Sequence, residues 1–100
     1  MPDPVQDTFG FALYYAQMGL THPDAKPLRG FGSAAVLEIV EDWQGDTYRA
    51  VYTVRFEETI YVLHCFQKKS KRGIETPRSD LNLIRERLKE AERLAKGGRP

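Results

Sequence analysis

Residues 47–67, "TYRAVYTVRFEETIYVLHCFQ", decide the fold. The first half alternates. Tyr48, Ala50, Tyr52, Val54 and Phe56 fall on one side of an extended chain, and Arg49, Val51, Thr53 and Arg55 on the other. The second half, "TIYVLHCFQ", is apolar on both sides, as a central strand covered on both faces would be. Only Glu57 and Glu58 separate the halves, so a tight antiparallel hairpin is expected. An even-numbered turn centred on that pair sets Arg55 opposite Ile60, Thr53 opposite Val62, Val51 opposite His64 and Arg49 opposite Phe66. One face then gathers Arg49, His64, Phe66 and, one step on, Lys68, whereas an odd turn would break the group.

Upstream, "AAVLEIVE" (34–41) is rich in β-branched residues and runs into the turn signal "DWQGD". Trp43 is expected in that turn, half-buried under the loop. "THPDAKPLRGFGS" (21–33) carries two prolines and two glycines and reads as a loop or a short helical turn. "DPVQDTFGFALYYAQMGL" (3–20) reads as a helix. Asp3 caps it, Pro4 takes the first helical position, and Val5, Phe9, Ala12, Leu13 and Ala16 share one face. Gly19 is its expected terminator. "ETPRSDLNLIRERLKEAERLAKGG" (75–98) reads as a second helix. Thr76 is the cap, Pro77 the first residue and Asp80 a favourable charge near the N-terminus. Leu81, Ile84, Leu88, Ala91 and Ala95 form its apolar stripe, and its mixed outer charges read as a solvated exterior.

One hundred residues, 41% hydrophobic and 29% charged, suit one soluble domain spanning 1–100. No apolar run approaches the roughly 20 residues that span a bilayer. "MPDPVQDTFG" has no basic segment of a secretory signal, and the single Cys65 suits a reducing cytoplasm. Cys65 reads as a small buried strand residue. One cysteine and two distant histidines offer no metal-ligand spacing, and no cofactor is expected.

Net charge is only +1, yet Lys68, Lys69, Lys71 and Arg72 put four cations in five residues where a strand ends. Such a run alone is more often a solvated loop than a binding site. Arg49 differs in kind: on an apolar strand it must be paired, exposed in a groove or functional, because burial without a partner is costly. Tyr52, on the opposite side, reads as core. Lysine and arginine meet phosphates, and an aromatic ring such as Phe66 stacks on an unpaired base. RNA cleavage by the 2′-hydroxyl needs a proton acceptor, a cation for the phosphorane and a donor for the leaving oxygen. His64 is the only imidazole nearby, and on alternation alone it is equally a core histidine.

The order helix, "KPLRGFGSAAVLEI", "YRAVYTVRF", "IYVLHCFQKKSKRGIETP" and terminal helix resembles the RelE/ParE toxin superfamily, nearest its HigB-like branch of phage-derived proteins. The resemblance runs from the first helix to about Leu94, and "YRAVY" and "CFQKKSKRGIETP" are its most specific parts. It implies an α+β fold, with an N-terminal helix and loop packed on a twisted antiparallel sheet of three or four strands, plus a C-terminal helix. It also implies the toxin of a type II toxin–antitoxin pair, cutting mRNA on the ribosome without metal and neutralised by a small helix-turn-helix antitoxin. Arg49 matches the arginine that contacts the scissile phosphate. Lys68, Lys69 and Lys71, with Arg72 beside them, match the basic segment, and Lys26 and Arg29 fall where relatives place further RNA-binding cations. Arg49→Ala is accordingly expected to cost activity and little stability. Strongly cleaving relatives often carry a tyrosine or a histidine–aspartate group near the chain's end, and "AERLAKGGRP" has neither. The ParE side of the superfamily poisons gyrase on the same fold, so gyrase inhibition and a non-catalytic RNA-binding module are the alternative readings.

Overall fold

The computed structural model describes residues 1–31, 36–54, 59–68 and 77–97. Helix α1 spans Asp3–Gln17, followed by strands β1 (Lys26–Pro27), β2 (Val36–Trp43), β3 (Asp46–Thr53) and β4 (Val62–Lys68), and helix α2 (Arg78–Gly97). The strands form one antiparallel sheet in the order β1-β2-β3-β4, so the chain is α+β with a helix at each end.

In α1, Val5, Phe9, Ala12 and Ala16 are buried as their spacing requires, and Leu13 packs beside them. Pro2, not Asp3, holds the N-cap position and makes no side-chain cap. Asp3 instead lies in the first turn, where its charge opposes the positive end of the helix. Gly19 closes the helix at φ +80°, with its N–H donating to the Ala16 carbonyl. The other face of α1 leaves Phe11, Tyr14 and Met18 exposed. β1 lies inside the expected loop; two residues are too few to carry a periodicity.

β2 turns into β3 through Gln44 and Gly45, at φ +51° and +88°, the positive values that a type I′ turn requires. Trp43 is therefore the last strand residue, opposite Asp46, rather than part of the turn. It is half-buried as expected, against the α1 core. β3 is the inner strand, and every residue from Tyr48 to Thr53 is buried. On one face Tyr48, Ala50 and Tyr52 join Leu37, Ile39 and the α1 stripe. On the other, Val51 joins Leu28, Val36, Leu63, Ile84 and Ala91, the last two from α2.

β4 is an edge strand and not the central one its composition suggested. Its apolar residues are divided: Leu63 is buried against α2, while Val62 stays 49% exposed and Cys65 is exposed rather than buried. The even register holds for Arg49 opposite Phe66 and Val51 opposite His64. It then shifts, so Tyr52 rather than Thr53 meets Val62, and Leu63 is the residue the ladder skips. Thr53 holds the shifted pairing. Its N–H donates to the Tyr61 carbonyl (2.9 Å) and its hydroxyl accepts from the Tyr61 N–H (3.0 Å). Arg55, Glu57, Glu58 and Thr76 lie outside the described residues. Helix α2 starts one residue after Pro77, whose carbonyl accepts from the Leu81 N–H.

Arg49 is buried. One of its Nη1 hydrogens donates to Glu38 Oε2 at 2.7 Å, and the side chains are 5% and 9% exposed. Of the three options open to it, the pairing is realised and the open groove is not. Removing one partner of a buried pair leaves an uncompensated charge in low dielectric. Arg49→Ala should therefore lower unfolding free energy by about 3–5 kcal/mol in urea titrations. Arg49→Met combined with Glu38→Leu should lose far less. The Tyr52 hydroxyl is buried with no hydrogen-bond partner among the described residues, and burial pushes its phenol pKa up. Tyr52→Phe should be neutral or stabilising by up to about 1 kcal/mol in the same titration, since no bond is lost.

Candidate functional site

The alternation that buries Val51 beneath α2 turns His64 and Phe66 of β4 toward the same helix. Their rings stack, with centroids 4.5 Å apart and planes at 19°. On α2, Asp80, Ile84, Arg87 and Ala91 recur at spacings of four, three and four and so share one face. Ile84 and Ala91 anchor that face in the core, which brings Asp80 and Arg87 down beside β4. Asp80 Oδ1 lies 2.8 Å from His64 Nε2, with the side chains 15% (His64) and 26% (Asp80) exposed. Arg87 Nη1 donates to the Leu63 carbonyl at 2.7 Å and lies 3.5 Å from His64 Nδ1.

The Asp80 bond fixes the imidazole's tautomer. An ionised carboxylate only accepts, so neutral His64 carries its proton on Nε2 and its lone pair on Nδ1. A carboxylate thus orients an imidazole whose free nitrogen faces a guanidinium, beside an aromatic ring. That set can accept a proton, hold an anion and offer a ring to a base.

Of the residues expected from sequence, His64 and Phe66 belong to this site. Arg49 sits opposite Phe66 in the ladder, but its charge is spent on Glu38 inside the protein. Lys68 is the last residue of β4, opposite Thr47; Lys69, Lys71 and Arg72 lie outside the described residues. Lys26 and Arg29 are exposed at the other edge of the sheet. Three strand spacings, about 14 Å, separate β1, which carries Lys26, from β4, while Arg29 follows β1 in the segment whose Phe31 lies under Arg85 of α2.

Sequence reading missed the roles of Asp80 and Arg87. Asp80 read as a helix-terminus charge and Arg87 as part of a solvated exterior. Their phase with Ile84 and Ala91 was the available signal. A histidine–aspartate pair is thus built between β4 and the first turn of α2.

Among the described residues no three His, Cys, Asp or Glu side chains gather to hold a metal ion, and no helix is long and apolar enough to cross a membrane. Cys65 is exposed as a residue, but partial desolvation of its sulfur pushes the thiol pKa up, away from the nucleophilic thiolate. No curated protein and no solved structure matches the chain significantly. One family model does match, over residues 1–89, and it covers α1, all four strands, the His64 site and the first part of α2 as far as Lys89. On that match the chain belongs to the family described as Phage derived protein Gp49-like (DUF891).

Proposed function

We propose that this protein is the toxin of a type II toxin–antitoxin pair and that it cleaves mRNA on the ribosome without a metal. Its family is known in toxin–antitoxin contexts, which is compatible with a toxin module. The resemblance to the RelE and HigB branches supports an RNA target. The observation that carries the reading is the His64–Asp80 pair, 2.8 Å apart on the strand that leads into Lys68, Lys69, Lys71 and Arg72.

In this reading His64 Nδ1 takes the proton of a ribose 2′-hydroxyl. Its oxygen attacks the adjacent phosphorus, and the P–O5′ bond breaks to leave a 2′,3′-cyclic phosphate. A lysine of the basic run gives the proton to the departing 5′ oxygen. Asp80 holds the ring in the required tautomer and stabilises the imidazolium that forms. The basic run binds the RNA backbone, so binding weakens steeply with salt. The antitoxin, a small helix-turn-helix protein, neutralises the toxin by covering the cations with acidic residues or by blocking the ribosome.

Expression of the chain alone should arrest growth, and co-expression of the adjacent gene should relieve the arrest. Primer extension should find discrete new 5′ ends in message within minutes. His64→Ala should slow single-turnover cleavage by about 10²–10⁴-fold, the range of a general base, while the protein stays folded with a lowered melting temperature. Asp80→Asn should cause a smaller loss. Cleaved DNA with intact message would instead favour gyrase as the target. A cleavage rate unaffected by His64→Ala would overturn the assignment of the base.

A further inference from the structure

The arginines of α2 are placed differently. Arg93 pairs with Glu90, and Arg85 lies over the Phe31 ring at 5.1 Å. Arg87 has no carboxylate partner among the described residues, yet it is held in place by a backbone carbonyl. That carbonyl belongs to Leu63, the residue the β3–β4 ladder skips, so the bulge supplies the anchor. A guanidinium has five donors in a planar fork; Nη1 reaches the Leu63 carbonyl and His64 Nδ1, which leaves Nη2 and Nε available. The residue is exposed, so the rest of the fork faces solvent beside His64 Nδ1. A fixed cation with no carboxylate partner among the described residues, next to the one imidazole nitrogen that bears a lone pair, is arranged for an anion that carries its own hydroxyl.

We propose that Arg87 binds the scissile phosphodiester of RNA: the free edge of its fork takes a non-bridging oxygen while His64 Nδ1 takes the neighbouring 2′-hydroxyl. This rests on His64 being the centre of the site, and it deepens that reading by naming the group that receives the phosphate. The fork matters as well as the charge, because two parallel donors match two phosphate oxygens where an ammonium presents a point charge. As the phosphorane gains charge, the same donors strengthen, which is how a bound cation lowers a barrier. Asp80 and Arg87 then divide the labour on His64: one holds the ring, the other holds what the ring acts on.

The test uses the full chain, isotopically labelled, and a short 2′-O-methyl RNA that cannot be cleaved. Saturable binding should shift the Arg87 Nε–H and His64 ring resonances. Arg87→Gln should weaken binding about 10–100-fold, the worth of a charge-assisted hydrogen bond. Arg85→Gln, as the control, should leave it unchanged. With cleavable RNA, Arg87→Gln should slow single-turnover cleavage by about 10²-fold. Arg87→Lys should restore part of the binding and less of the rate. Binding by Arg87→Gln or cleavage by Arg87→Lys at the parent level would overturn the proposal, as would a parent chain that binds no RNA. If Arg87→Gln fails to fold, Arg87→Lys decides by the same readouts. A parent that binds through Arg87 and never cleaves would sustain the phosphate site and sink the nuclease reading.

Discussion

A guanidinium taken out of water needs an anion within reach, and Arg49 finds its partner in Glu38 on the neighbouring strand. The two are not directly opposite: Arg49 faces Val40, and Glu38 faces Val51. The contact is therefore a diagonal one, available in one register of β2 on β3. A slip of β2 by one residue would turn Glu38 to the α1 face, among Phe9, Ile39 and Tyr52, and leave Arg49 on the opposite face without its partner. The pair thus acts as a register lock more than as a source of stability, since the desolvation of both ions offsets most of their attraction. Val51, and through it His64, takes its position from that lock.

Much of this architecture is legible in the chain because period carries it. The stripe Val5, Phe9, Ala12, Ala16 and the alternation around Arg49 each name an element and a face. Phe66 does stand opposite Arg49 as an even turn would have it, but the pairing next to the turn is shifted by one, and the skipped Leu63 restores the expected register. The rest depends on tertiary partners that period does not encode. The bulge at Leu63 is fixed by the Thr53–Tyr61 bonds, and local propensity is silent about them. β4 looked central because both its faces are apolar, but composition cannot say whether a strand has a neighbour on its far side. The surroundings of Arg49 stayed open for a related reason. An arginine in an apolar run signals a special environment, and sequence alone left pairing and exposure equally open.

The candidate site shows the same division. His64 and Phe66 share a strand face and could be found by counting. Asp80 and Arg87 meet them only after α2 has docked through Ile84 and Ala91, so their contribution exists at the level of packing. Two helix residues seven apart in sequence thereby bracket one imidazole. The site is a product of the junction between β4 and α2, and the sheet alone does not contain it.

Both edges of the sheet are poor templates. β1 offers two residues, one of them Pro27, which has no N–H to give. β4 carries the Leu63 bulge, which breaks the even spacing that an incoming strand would have to match. Crowded copies of this chain are thereby discouraged from zipping edge to edge into fibrils, a hazard for any small open sheet with apolar strands. The irregularity that frees a carbonyl for Arg87 also serves solubility, so straightening β4 would be expected to cost the protein its colloidal behaviour along with its site.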